Sequence, residues 1–186
     1  YTFSFTTAGA NDLVDSNLAG LVKNAVNKPA GEVTVSDLAS LSRLSLGDAN
    51  LTSLGGLEHA INLKELYLDG NEIGDLSPIS GLSKLQKLDL SRNSISASPL
   101  NISPLFEMTG LTHLYLSQNN ISDITPVQGL TSLKELWLDN NNIDSIGSLA
   151  ELTGLTTLAL HKNQINDITS LAGLKSLQYP LPGKQQ

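Results

Sequence analysis

The sequence predicts an α/β solenoid: a horseshoe with a parallel concave β-sheet, a convex side of 3₁₀ and extended segments, and a helical N-terminal cap. Three observations predict it. Leu63, Leu66, Leu68, Asn71, Ile73 and Leu76 recur as Leu133, Leu136, Leu138, Asn141, Ile143 and Ile146, and again as Leu155, Leu158, Leu160, Asn163, Ile165 and Ile168. The segment before the first unit has apolar residues at helical spacing and does not fit the repeat. Prolines 78, 104 and 126 return on the stretch between strands, where they disfavour a long α-helix.

The unit reads L-x-x-L-x-L-x-x-N-x-I, the leucine-rich-repeat pattern, in which a short strand lines the inside of a curved array. Such a fold offers a broad concave surface and no pocket by default, which favours binding over catalysis. Of the 186 residues, 40% are apolar, enough for one substantial domain. Eleven Lys and Arg against 18 Asp and Glu give a net charge of −7, so the chain repels phosphate backbones and nucleic acid is excluded as a partner. No apolar run reaches a membrane span, so no membrane insertion is expected. The absence of Cys excludes disulfides and thiolate chemistry.

The elements follow in order. Residues 1–11 form an N-terminal arm in which Phe3 and Phe5 alternate. Residues 12–31 read as a helix: Val14, Leu18, Leu21, Val22, Ala25 and Val26 make one apolar face, Asp15 caps it, and Pro29 and Gly31 stop it. Ser36 then caps a short turn through Leu38. Residues 12–40 are thus an atypical terminal unit that covers the leucines of the first repeat, with Leu18, Leu21, Val22 and Val26 closing it. The repeats occupy 41–178, starting at Leu41, Leu63, Leu85, Leu111, Leu133 and Leu155, with a partial unit at Leu177. The interval is 22 residues except from Leu85 to Leu111, where it is 26. Alignment places the insertion at residues 96–101, as a loop between core positions Ile95 and Ile102.

The corner Asn is Ala49 in the first repeat, then Asn71, Asn93, Asn119, Asn141 and Asn163. The chain turns sharply there, and an amide with donors and an acceptor can satisfy neighbouring turns. At the far end Pro180 replaces the second leucine of the partial unit, so the array ends near 178 and residues 179–186 form a tail. The strand at 155–160 is then an open edge, which leaves room for weak self-association of an otherwise monomeric protein.

Several segments now carry a family likeness. Gly56-Leu57-Glu58-His59-Ala60-Ile61-Asn62-Leu63 resembles the first-repeat signature of bacterial internalin-type proteins, as do Asn17-Leu18-Ala19 and Val35-Ser36-Asp37-Leu38 in the cap. Asn120-Ile121-Ser122-Asp123-Ile124-Thr125-Pro126-Val127 is similar to the 22-residue repeat subclass shared by internalins and eukaryotic phosphatase regulators. The resemblance covers residues 12–178 and implies a secreted or surface protein that binds another macromolecule through its concave face. Internalins proper carry an immunoglobulin-like module after the repeats, which these residues do not contain. The competing readings are an intracellular regulatory scaffold of the phosphatase-regulator type and the binding arm of a larger enzyme.

Period-2 alternation sends three rows to the concave surface. The third position of each unit reads Arg43, Glu65, Lys87, His113, Glu135, Thr157; the fifth reads Ser45, Tyr67, Asp89, Tyr115, Trp137, Ala159; the seventh reads Gly47, Asp69, Ser91, Ser117, Asp139, His161. The only Trp lies in the fifth row with two of the four tyrosines. Aromatics bury much area and keep a polar group, so they anchor interfaces. The candidate ligand-binding residues are therefore Tyr67, Tyr115 and Trp137, with Glu65, Asp89, Lys87, His113, Glu135 and Asp139 around them. The surplus of carboxylates selects a protein ligand with a basic surface.

No catalytic, cofactor or metal role is expected. His113 and His161 are two strands apart, roughly 10 Å, too far to share a zinc. Glu65 and Asp89 lie roughly 8 Å apart, within the inverting-glycosidase range, but a flat wet sheet does not raise one carboxyl. Asp69-Gly70-Asn71 resembles part of a calcium loop and lacks the later ligands.

Overall fold

The computed structural model describes residues 16–28, 30, 32–93, 95 and 102–178. The arm, Val14, Asp15, Pro29, Gly31, the insertion at 96–101 and the tail from 179 lie outside these residues.

The cap begins with α1 (Ser16–Ala25). It ends earlier than the sequence predicts, because Asn27 takes the left-handed conformation (φ 54°). Lys28 N–H then donates to Lys23 O and Asn27 N–H to Asn24 O, which closes the last turn as a Schellman motif. The stop is therefore Asn27, ahead of Pro29. Leu18 and Val22 are fully buried, whereas Leu21 and Val26 are only partly buried against the core.

Next comes α2 (Val35–Ser40), and its cap is Thr34 instead of Ser36. Thr34 Oγ1 accepts from Asp37 N–H, while Asp37 Oδ2 accepts from Thr34 N–H at 2.7 Å. This reciprocal box needs a carboxylate three residues on, which Thr34 has in Asp37 and Ser36 lacks. Lys28 Nζ also donates to Asp37 Oδ2 at 2.8 Å and ties the two helices together. The Lys28 hydrogen bond, then those from Thr34, lower the Asp37 carboxyl to about 2.

Six three-residue strands follow: β1 (Arg43–Ser45), β2 (Glu65–Tyr67), β3 (Lys87–Asp89), β4 (His113–Tyr115), β5 (Glu135–Trp137) and β6 (Thr157–Ala159). They form one parallel sheet in sequence order. Each pairs in register with its counterpart, as in Leu44↔Leu66 and Leu88↔Leu114. The second pairing spans the 26-residue unit, so the extra residues do not disturb the sheet. Ile95 and Ile102, at the ends of the insertion, are both buried.

Opposite the strands run 3₁₀ turns at Leu57–His59, Ser77–Ile79, Ser103–Glu107, Thr125–Val127, Gly147–Leu149 and Thr169–Gly173. Prolines 78, 104 and 126 sit second in their turns, within the first turn, where the N–H has no partner in the helix to lose. Leucines and isoleucines from strands, corners and 3₁₀ turns fill one continuous core from Leu18 to Leu174.

The corner asparagines link consecutive repeats. Asn141 Oδ1 accepts from Ile121 N–H at 3.0 Å, and its Nδ2 donates to Leu116 O and Leu138 O. Asn71, Asn93, Asn119 and Asn163 repeat the arrangement, so Leu68, Leu90, Leu116 and Leu138 each have a carbonyl shared by two amides. Asn71 also accepts from Ala49 N–H and Leu51 N–H, which completes the corner of the repeat that has no Asn.

The C-terminal end is thinner. Gln178 N–H donates to Thr156 O, continuing the ladder by one bond past β6. Ile168 is 66% exposed, and Leu160, Ile165, Leu171 and Leu177 are partly buried.

Two outcomes are expected in urea melts. Leu18→Ala should cost about 2–5 kcal/mol, because it opens a cavity under the cap, and Leu21→Ala distinctly less. Equal costs would contradict the packing. Asn141→Ala should cost at least about 3 kcal/mol, since it strands one buried N–H and weakens two carbonyls. A change below about 1 kcal/mol would show that the corner amide is dispensable.

Candidate functional site

Alternation within each strand places the leucine inward and the flanking residues outward. The burial pattern intermediate–buried–intermediate holds for β2, β3, β4 and β5. The third and fifth rows therefore stand on the concave face as the sequence predicts. Register pairs Tyr67 with Asp89, Asp89 with Tyr115, and Tyr115 with Trp137.

The side chains fall into two clusters. At the N-terminal end, the Arg43 guanidinium lies 5.0 Å from the Tyr67 ring centroid, and its Nη1 is 3.3 Å from Glu65 Oε2. Tyr67 Oη donates to the same Glu65 oxygen at 3.0 Å. Desolvation, then the hydrogen bond to Glu65, raises the Tyr67 phenol above its usual range.

The second cluster lies on β4 and β5. Tyr115 and Trp137 rings are 6.3 Å apart between centroids and tilted by 45°. Tyr115 Oη donates to Glu135 Oε2 at 3.0 Å. Burial, then that bond, pushes this phenol well above the ordinary tyrosine range, so it stays a neutral donor. His113 Nε2 lies 3.8 Å from Glu135 Oε1. The His113 ring is held from behind: Thr112 Oγ1 donates to Gln86 O, so Nδ1 donates to that hydroxyl at 2.8 Å. Among the described residues, Trp137 Nε1 is a buried side-chain donor with no acceptor.

Asp89 and Lys87 lie between the clusters, both partly buried. Asp89 Oδ1 accepts from Ser91 N–H at 2.9 Å, and the carboxylate makes no ion pair with another described residue. Asp139 differs from the other candidates: it is only 7% exposed. Ser117 Oγ and Asn140 Nδ2 donate to its carboxylate, and His161 Nε2 lies 3.4 Å away. It sits beneath the surface and braces the seventh row.

The sequence reading missed Arg92. Its guanidinium reaches Asp69 Oδ2 at 2.7 Å and Asp48 Oδ1 at 3.1 Å, across three repeats. Gly70, at φ 68°, leaves the space: a Cβ there would meet Asp48 Oδ1 at 2.1 Å and Arg92 Nη2 at 3.0 Å. The available signal was positional. Asp48, Gly70, Arg92, Gln118, Asn140 and Lys162 all precede the corner, and all are left-handed.

On the opposite side, an open groove of about 450 Å³ runs between the fifth and sixth repeats. Asp144, Gly147, Ala150, Asp167 and Thr169 line it without an aromatic side chain, so it lacks anchor area. Among the described residues no group of three acidic, His or Cys side chains is arranged to hold a metal ion. No helix among them is long and apolar enough to cross a membrane.

Comparison with known proteins agrees with this geometry. Residues 61–102 and 109–151 match the family model Leucine Rich repeats (2 copies). An internalin of Listeria monocytogenes, InlF, is 33% identical with a TM-score of 0.86, covering 95% of this chain and 52% of that one. Internalin C2 of the same species is 38% identical with a TM-score of 0.83, covering 89% of this chain and 73% of that one. Leucine-rich repeat-containing protein 56 of Mus musculus is 43% identical over 58 residues, 31% of this chain and 10% of its own length. The chain thus spans about half of InlF and a tenth of the mouse protein.

The unpaired indole leads to one expectation. Trp137→Phe removes a buried donor that has no acceptor while keeping most of the ring area. Its stability should stay within about 1 kcal/mol of the parent in a urea melt. A loss beyond about 2 kcal/mol would mean that the N–H is satisfied in solution.

Proposed function

Because the chain belongs to the bacterial internalin-type leucine-rich-repeat proteins, we propose that it is a non-catalytic binding module, secreted or displayed at the cell surface, which takes a protein ligand on its concave face. The observation that carries this reading is the Tyr115–Trp137 pair on two adjacent interior strands of the sheet, with its indole N–H left unsatisfied. Local stability rules are broken most readily where a site is kept for another purpose. The rings present anchor area on short, register-locked strands, so little conformational entropy is lost on binding.

Tyr67, Tyr115 and Trp137 form the contact row. Glu65, Asp89 and Glu135 give it a negative rim, with Asp139 adding charge from beneath. Lys87 and His113 lie between the carboxylates and set the register of a charged partner. The complementary surface is basic, so association should slow as salt screens the attraction.

Against a protein ligand isolated on the immobilised chain, Trp137→Ala should weaken binding by at least about 2 kcal/mol, as a hot-spot anchor does. Substitution of Asp144 and Thr169 in the convex groove should leave affinity unchanged. Loss of binding from the groove variants, with Trp137→Ala and Tyr115→Ala unaffected, would overturn the concave-face reading.

A further inference from the structure

We propose that Asp89, flanked by Tyr67 and Tyr115 in the fifth row, is a receptor for an arginine side chain of the protein ligand. The inference rests on the concave-face reading and names the group that enters it. Register puts Asp89 directly between the two tyrosines, each on the adjacent strand. Strand spacing sets the tyrosine backbones roughly 10 Å apart, with the short Asp side chain between them. A flat guanidinium stacked roughly 3.5 Å from each of two ring faces needs about 7 Å between them, and that spacing leaves room for it.

Both phenol hydroxyls are already committed. Tyr67 Oη donates to Glu65 and Tyr115 Oη to Glu135, so the rings are fixed and only their faces and edges remain for a ligand. The negative face of an aromatic ring attracts a cation. Asp89 supplies the opposite charge. One of its oxygens accepts from Ser91 N–H, and no described cation pairs with it. A carboxylate held in place, partly buried and without a counter-ion is stabilised by a cation that arrives from outside.

The protein contains its own example of the contact. Arg43 lies over Tyr67 at 5.0 Å and pairs with Glu65 at 3.3 Å, so a guanidinium on this sheet takes a tyrosine face and a neighbouring carboxylate together. Arg43 comes from β1, which pairs with β2 on the edge opposite β3 and Asp89. The equivalent carboxylate and ring on the Asp89 side have no internal cation. Arginine is favoured over lysine because the planar group stacks and can donate two parallel bonds to a carboxylate.

The test uses N-acetyl-arginine methylamide, with the uncharged citrulline analogue as its shape-matched control. Each is titrated into the whole chain while backbone amide resonances are followed by NMR. The arginine probe should shift residues 65–69, 87–91 and 113–117 saturably, and citrulline should not. Asp89→Asn keeps the acceptor for Ser91 N–H and should weaken the arginine probe at least about fivefold, whereas Asp144→Asn in the convex groove should not. Equal shifts from both probes, an unchanged affinity in Asp89→Asn, or shifts centred on another surface would each overturn the inference. Its failure is separable from that of the binding reading. A silent Asp89 with a ligand still sensitive to Trp137→Ala removes the arginine site alone. A responsive Asp89 with a ligand insensitive to Trp137→Ala removes the Trp-centred reading alone.

Discussion

The whole structure depends on a side-chain amide that completes a turn in the repeat before its own. Asn93 Oδ1 takes Ile73 N–H while Asn93 Nδ2 bonds Leu68 O and Leu90 O. The unit that contains Ile73 therefore cannot satisfy its corner alone. An unpaired buried backbone group costs about as much as a lost hydrogen bond, so each unit needs its successor. This neighbour dependence makes the array cooperative along one dimension. It also fixes register: a slip of one residue would orphan every corner and turn the leucines out of the core. Fixed register is what assembles the rows of the concave face, so the binding surface is a consequence of the ladder.

The same corner shows how a repeat tolerates backbone strain. The residue before each Asn is left-handed, and only Gly70 is free of the Cβ penalty. Asp48 and Asn140 accept that conformation readily, whereas Arg92, Gln118 and Lys162 do so because the fold demands it. The return is a backbone bond to the next repeat, as in Arg92 N–H to Ser117 O and Gln118 N–H to Asp139 O, both at 2.9 Å. The ladder thus extends beyond the three residues of each strand. It leaves the eighth position facing outward, where Arg92 can collect two carboxylates.

The ends differ in how they meet the exposed core. At the N-terminus two short helices, joined by the Lys28–Asp37 bridge, bring Leu18, Val22 and Leu38 into the leucine core. A helix can do this because its apolar face is about as wide as the edge of a repeat. At the β6 end Gln178 N–H bonds Thr156 O, Ser176 Oγ bonds Thr153 O and Leu174 is buried, while Leu160, Ile165, Leu171 and Leu177 stay only partly buried. The aromatic row lies well inside the array, on strands with a neighbour on either side.

The sequence by itself determined the periodic part of this protein. The 22-residue spacing of leucines and asparagines fixed strand positions, the direction each side chain points, the corner and the 3₁₀ side, because each follows from a local period. It also showed that Tyr67, Asp89, Tyr115 and Trp137 share one row. It misplaced the end of the first helix and the capping residue of the second for a reason of scale. The Asn27 stop and the Thr34–Asp37 box each turn on one or two hydrogen bonds, whereas the apolar pattern that suggested a helix to residue 31 is insensitive to a single turn. Only the tertiary structure decided which charges are free. Asp89 and Asp139 are both concave-face candidates from the sequence, yet Asp139 is enclosed by Ser117, Asn140 and His161 while Asp89, partly buried between the Tyr67 and Tyr115 strands, pairs with no described cation. That difference depends on which residues of adjacent repeats come side by side and how their side chains pack, a relation between strands that no single repeat encodes.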